Sequence, residues 1–275
     1  MSDPEAIYAL CIGLLISDRE FDFSEVLSFE LGYYPPAHFD ANGEMRLPTA
    51  KSDLKNILGM TINIRTFGTP THIIIDVSAY LWTLKWPSKG KFSLVIDEVK
   101  KSLRELLTKS DVHWINDRYF DYSPKSASRL NREAGIASRL HELRLDMPII
   151  DKKYVLRCVE NKKKLNKLIY DCITNDEEFL KEATRHHKLI IMNENTVPYQ
   201  FHDGRKVPRM DLASSHEEAD NIITKHAILC GLESGSKTKV LSDDTDIFAL
   251  LSYFYQLKSL NNPMIMESPV HNRDT

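Results

Sequence analysis

The sequence predicts an α/β domain: a mainly parallel, twisted sheet flanked by helices, with an N-terminal accessory segment. Two observations lead there. From about Thr71, short apolar or β-branched runs alternate with longer stretches that carry apolar residues at helical spacing, which is the imprint of βαβ units. The short runs are largely apolar rather than strictly alternating with polar residues, as strands covered on both faces must be.

Composition sets the bounds. The chain has 275 residues, 42% apolar and 27% charged, which excludes a disordered or fibrous protein. With 36 Lys and Arg against 39 Asp and Glu, the net charge is −3, so a wholly basic nucleic-acid coat protein is excluded. Cys11, Cys158, Cys172 and Cys230 show no paired spacing. A disulfide scaffold is therefore excluded, a thiolate zinc site is disfavoured, and a reducing compartment is expected. The longest early apolar run, Ala6 to Ile16, is much shorter than the roughly 20 residues of a membrane span. Asp3 and Glu5 precede it, whereas a secretory signal begins with positive charge. No membrane association is expected, and the expected location is intracellular, nucleus or cytoplasm.

The elements follow in order. Residues 1–69 read as the accessory segment. Phe23, Val26, Leu27 and Leu31 are helically spaced with Gly32 as a stop. Tyr33-Tyr34-Pro35-Pro36 breaks any helix, Asn42-Gly43 marks a turn, and Lys51 to Leu58 suits one short helix. The main domain is placed at 70–260. Its first strand is Ile73-Ile74-Ile75, ending in Asp76. Val95, Ile96, Val99, Leu103, Leu106 and Leu107 form a helical stripe. Val112 to Ile115 is a second strand closed by Asn116-Asp117, and Leu189 to Met192 is a third. Asp203-Gly204 suits a hairpin tip. Ser215 to Cys230 reads as a helix, with Ser215 and Glu218 fitting a capping box. Thr238 to Leu241 is a fourth strand, followed by Asp243-Asp244-Thr245-Asp246 and an apolar helix from Ile247 to about Tyr255. Pro263 to Thr275 is polar and reads as an interrupted loop, so 261–275 is expected to be a truncated C-terminal tail. Charge is segregated: residues 125–167 hold twelve Lys or Arg against five Asp or Glu.

Three of these strands end in acids, namely Asp76, Asp117 and the group Asp243, Asp244 and Asp246. Strand C-termini in a parallel sheet share one edge, where ligands bind. The helix near Ser215 adds Glu217, Glu218 and Asp220. Crowded carboxylates repel unless cations or protons compensate, and hard oxygen ligands suit Mg²⁺ or Mn²⁺. Paired ions of this kind are the recurring device for phosphodiester cleavage, and a nearby basic segment would hold the phosphate backbone. The plainer reading of each acid is a helix cap or a residue favouring the helix dipole. A cap needs one acid, however, and Asp243 to Asp246 supplies three.

Ile73-Ile74-Ile75-Asp76-Val77-Ser78 resembles the first catalytic strand of the flap-endonuclease and PIN-domain superfamily. Trp114-Ile115-Asn116-Asp117, followed by Tyr122-Ser123-Pro124-Lys125-Ser126, resembles its second acid and the start of its helical arch. Glu217-Glu218-Ala219-Asp220 and Ser242-Asp243-Asp244-Thr245-Asp246 are similar to its paired-acid and final Asp-x-Asp motifs. The last two phrases most resemble uncharacterised, mobile-element-associated PIN-like proteins of animals, and the likeness spans about Phe23 to Tyr255. It implies a metal-dependent nuclease acting on DNA or RNA. Asp76, Asp117, Glu218, Asp220, Asp244 and Asp246 are the implied catalytic acids. Among them, Asp76, Asp220, Asp244 and Asp246 would hold Mg²⁺ or Mn²⁺, and Asp117 and Glu218 would complete or tune the site. Asp243 falls in a non-ligand slot. The motif favours Glu218, while helical spacing to Asp220 favours Glu217. Lys125, Arg129 and Arg132 match the basic arch that steers the scissile phosphate, and their plainer reading is a solvated helix face. Better-studied relatives carry a helix-hairpin region after the last acid that this chain does not show. The alternative is a catalytically inactive PIN-like module, derived from a mobile element, that binds nucleic acid or protein.

Other motifs carry less. His186-His187 could bind metal, but adjacent residues in a strand point to opposite faces, and His113 and His216 read as structural or capping-adjacent. Trp82 and Trp86, at i,i+4, read as core. A haloacid-dehalogenase-like phosphatase needs an acid where Ser78 stands. No GxxxxGK[ST] or GxGxxG loop is present.

Overall fold

A computed structural model describes residues 67–118, 140–216 and 218–269. The chain divides into two units, Met1–Leu58 and Gly59–Thr275, and every described residue belongs to the second. The expected elements of residues 1–66, and the basic stretch from Lys125 to Arg132, lie outside the described residues.

The described chain runs β1 (His72–Asp76), α1 (Val77–Thr83), α2 (Ser93–Leu107), β2 (Asp111–Ile115), α3 (Lys152–Leu156), α4 (Val159–Thr174), α5 (Glu177–Ala183) and β3 (Leu189–Met192). It continues through β4 (Tyr199–His202), β5 (Arg205–Pro208), α6 (Ala219–Leu232), β6 (Thr238–Leu241), α7 (Thr245–Leu257) and β7 (Met264–Glu267). The seven strands form one sheet in the order β5-β4-β3-β2-β1-β6-β7. The five from β3 to β7 in that row pair in parallel, and β4 and β5 add an antiparallel edge. The architecture is therefore α/β with a mostly parallel sheet flanked by helices. Among the described residues no helix is long and apolar enough to cross a membrane.

Strand alternation divides the interior in two. Successive side chains point to opposite faces, so Ile73 and Ile75 enter one core while Ile74 enters the other. The first core joins Trp114, Leu189 and Ile191 to Val99 and Leu103 of α2, Leu165 and Ile169 of α4, and Phe179 of α5. The second joins Ile115, Met192 and Val240 to Ile222, Ile223 and Ala227 of α6 and Ile247 and Leu251 of α7. The α2 stripe forms as its spacing requires, with Val95, Ile96, Val99, Leu103 and Leu107 all buried. Asp203 (φ 48°) and Gly204 (φ 71°) close the β4–β5 hairpin. Both central residues have positive φ, the turn that matches strand twist and that Gly adopts without a Cβ clash.

Two expectations change. The helix read from Ser215 starts instead at Ala219, with Glu218 as its N-cap residue and no side-chain capping bond. The cause lies upstream: the carbonyls of Ser214 and His216 accept hydrogen bonds from the buried Arg118 guanidinium, which holds the segment outside the helix. Met264–Glu267, read as polar loop, is an edge strand parallel to β6. Its Met-Ile-Met core is too short to show a period, but it buries Ile265 and places Glu267 2.6 Å from Lys239. Trp82 and Trp86 both pack against the first core, as their reading required; Trp86 does so from beyond the end of α1, edge-on against Phe92 with ring centroids 6.0 Å apart.

Candidate metal centre

The sheet order creates the site. From β1 the chain steps one way to β2 and β3, and later enters β6 and β7 on the other side of β1. The boundary between β1 and β6 is therefore the point where strand order reverses, and in α/β sheets ligands bind beyond the C-terminal ends of the strands at such a point. Asp76 is the last residue of β1, Asp117 lies two residues past β2, and Asp244 three residues past β6. The start of α6 brings Glu218 and Asp220 to the same edge.

One oxygen each from Asp220, Asp244 and Asp246 lies within 4.8 Å of the others. Ligands on an octahedral ion with bonds of about 2.1 Å sit roughly 3–4 Å apart, so small side-chain adjustments would let all three share one cation. The all-oxygen, anionic donor set fits Mg²⁺ or Mn²⁺ rather than a softer ion. Asp244 is also the N-cap of α7, its Oδ1 accepting from the Asp246 N–H at 3.0 Å. One side chain thus fixes the helix and aims its neighbour.

Asp76 reaches this group through a residue the sequence reading passed over. Ser242, wholly buried, donates from Oγ to Asp76 Oδ2 at 2.8 Å and accepts from the Asp244 N–H at 3.2 Å. Asp76 Oδ1 also caps α1 through the Ala79 N–H at 3.3 Å. Burial, reinforced by the Asp117 charge, pushes the Asp76 carboxyl up to about 6 against the opposing pull of Ser242, the Ala79 N–H and the Lys162 ammonium on α4. A carboxyl held there is one whose surroundings lack the positive charge it needs to ionise freely, which a cation would provide. Replacing Ser242 by Ala removes a bond to a buried carboxyl and leaves the Asp244 N–H without this acceptor. The expected cost is about 1–2 kcal/mol, read as a lower denaturant midpoint.

Asp117 joins the two halves of the edge. Its Oδ2 accepts from Ser78 Oγ at 2.8 Å, and its Oδ1 faces the Ala219 N–H at 3.4 Å, a long contact. Ser78, in the first turn of α1, thus ties that helix to the segment after β2. Glu218, half-buried, precedes the first turn of α6. The spacing argument against it applied to a residue inside a helix and so does not hold here. Glu217, Lys125, Arg129 and Arg132 lie outside the described residues. Asp243 accepts from Ser268 Oγ at 2.6 Å.

The basic stretch divides by role. Lys152 donates to the carbonyls of Trp82 (2.6 Å) and Leu84 (3.1 Å), closing the end of α1. Lys164 donates to the His141 carbonyl at 3.2 Å, and Lys163 lies 3.0 Å from Glu160. Lys162 is the described cation whose charge acts on Asp76. Arg118, 3% exposed, was not singled out from sequence, yet it organises the approach to α6. It donates to the Ser214 and His216 carbonyls at 2.9 Å each and to the Glu194 carbonyl at 3.3 Å. An Arg directly after the second strand's acid was the one available signal. His187 faces Asp111 at 3.4 Å, away from this edge. No family model, curated protein or solved structure matches the chain.

Proposed function

We propose that the chain is a PIN-like, metal-dependent phosphodiester hydrolase acting on DNA or RNA inside the cell. The observation that carries the reading is the meeting of the Asp220, Asp244 and Asp246 carboxylates at the strand-order reversal, beside Asp76 and Asp117. Residues far apart in sequence arrive together where an α/β sheet binds its ligands, and their order along the chain is that of the motifs they resemble.

In this reading Asp220, Asp244 and Asp246 hold one Mg²⁺ or Mn²⁺, and Asp76, with Asp117 and Glu218, completes a second position. Divalent ions there would supply the positive charge that the attacking and leaving oxygens of a phosphodiester need. Ser242 sets the orientation of Asp76 and the backbone of Asp244, so both positions share one rigid support. Asp117 holds the α1 and α6 ends of the rim together through Ser78 and Ala219. Lys162 of α4, whose charge acts on Asp76, would add positive charge for the phosphate. Lys125, Arg129 and Arg132 extend the basic surface for the strand.

The test is cleavage of an end-labelled 5′-flap DNA and of a single-stranded RNA with Mn²⁺, with Mg²⁺ and with chelator. Cutting in the presence of either ion, abolished by chelator, is the expected result. Asp244→Asn keeps the α7 cap, since Asn caps as well as Asp, and should lower the rate about a thousandfold, the equivalent of about 4 kcal/mol of lost charge stabilisation. If the folded protein cuts neither substrate with either ion, the hydrolase reading is wrong. Salt-sensitive binding that survives chelation would then identify a non-catalytic nucleic-acid-binding module.

A further inference from the structure

At the opposite end of β1 from Asp76, the interior holds a cluster of a different chemical kind. His72 opens β1, His113 is the middle residue of β2, and Cys230 lies near the end of α6. In the parallel register His113 pairs with Ile74, so His72, Ile74 and His113 share the face that α6 covers. The two imidazoles stand edge to face, centroids 6.0 Å apart. One ligating atom from each of His72, His113 and Cys230 lies within 4.8 Å of the others, and all three residues are buried. Cys230 Sγ is 3.5 Å from His113 Nε2. Tetrahedral geometry with Zn–N of about 2.0 Å and Zn–S of about 2.3 Å places nitrogen and sulfur about 3.5 Å apart.

The outer ring nitrogens are already engaged. His72 Nε2 lies 3.2 Å from Glu233 Oε2, and His113 Nδ1 lies 2.9 Å from His226 Nδ1. These partners bear on the tautomers. Nε2 of His72 donates to the carboxylate, which leaves a lone pair on its Nδ1. Between His113 Nδ1 and His226 Nδ1 either ring can carry the shared proton, and the tautomer with the proton on His113 Nδ1 leaves a lone pair on its Nε2, 3.5 Å from Cys230 Sγ. A histidine ligand held from behind by a carboxylate or another acceptor is the usual outer arrangement of a metal site. The His72 Nδ1 atom is buried and has no hydrogen-bond partner among the described residues. Leaving such an atom unpaired costs about 1–3 kcal/mol. Thr238 sits beside His72 in register, and its buried Oγ1 also has no partner among the described residues.

We infer that His72 Nδ1, His113 Nε2 and Cys230 Sγ form a second metal site that takes Zn²⁺ or a similar thiophilic divalent ion, with the fourth position open to water. Binding forms one metal–sulfur and two metal–nitrogen bonds, and the Cys230 thiol proton leaves to solvent. His72 and Asp76 stand four residue steps apart at the two ends of β1, about 13 Å along an extended strand, so this site and the acidic edge are independent. Soft and hard donors also divide the ions between them: Mg²⁺ belongs at the carboxylates, and Zn²⁺ at the imidazoles and thiolate. The site would pin β1, β2 and the end of α6 to one another.

The full chain, stripped with chelator, would be titrated with Co²⁺ in excess Mg²⁺. The expected spectrum contains a thiolate-to-cobalt charge-transfer band that saturates at a single equivalent and is displaced by Zn²⁺. Cys230→Ser should remove the band, while Asp244→Asn should leave it intact. Glu233→Ala, at a largely exposed residue, should weaken Co²⁺ binding about tenfold or more by freeing His72, with the fold intact. A wild-type spectrum without charge transfer would overturn the inference without recourse to any variant. So would a band that persists in Cys230→Ser, because the thiolate would then be another cysteine.

Discussion

Replacing Asp76 by Asn is expected to stabilise the metal-free protein at neutral pH while abolishing cleavage. The Asp76 carboxyl titrates at about 6 in the fold against 3.8 as an ordinary side chain. Because its folded pKa is raised, the folded state holds the proton more tightly than the unfolded chain. Its contribution to stability is therefore fully present below about pH 4, falls as pH rises through the window from 4 to 6, and stays lost above it. Just over two pKa units correspond to about 3 kcal/mol. Asn carries no charge at any pH, and its side-chain oxygen can still accept from the Ala79 N–H. The stability difference between variant and wild type, from urea midpoints in chelator, should be small at pH 4 and grow to about 3 kcal/mol by pH 7. Saturating Mn²⁺ should narrow it at pH 7, because a cation compensates the wild-type carboxylate and finds no charge on Asn. A difference that stays flat across this range would mean that Asp76 ionises without strain, and the electrostatic account of this edge would be wrong.

Arg118→Ala is expected to be the most damaging change away from the carboxylates. The guanidinium serves three carbonyls on two segments, Glu194 after β3 and Ser214 and His216 before α6. Truncation leaves those acceptors without their charged donor inside the protein, at an expected cost of about 3–5 kcal/mol. It also frees the segment that delivers Glu218 and Asp220 to the rim. Mn²⁺ affinity should therefore fall along with stability. Arg118→Lys, which keeps the charge but not the planar fork, should recover part of the stability and less of the affinity. Calorimetric titration of both variants distinguishes this role from simple packing: a loss of stability with unchanged Mn²⁺ affinity would refute the positioning role.

Much of the architecture was legible before the structure. Ile73-Ile74-Ile75 and Leu189 to Met192 read as strands because β-branched and apolar runs of that length, bounded by polar residues, have few other uses. Asp203-Gly204 read as a turn because its backbone needs positive φ. The acids at the ends of β1, β2 and β6 could be placed on one edge from the parallel topology alone. What misled was local ambiguity. Ser215 and Glu218 satisfy a capping box by spacing, but the carbonyls around Ser215 are held by Arg118, a residue about a hundred positions away. Met264 to Glu267 is too short to reveal a strand period, and it becomes a strand because β6 offers an unpaired edge.

The sequence by itself determined the class of the fold, four of its five parallel strands and the order in which the acids meet the rim. Periodicity, turn chemistry and strand-end position are properties of neighbouring residues, so they are written locally. Tertiary structure alone decided that Ser242 links Asp76 to Asp244, that Arg118 sets the start of α6, and that His72 and His113 meet Cys230. Those contacts depend on which strands become neighbours and in what register. That choice is made by burial of both sheet faces against helices from distant parts of the chain, and no short segment contains it.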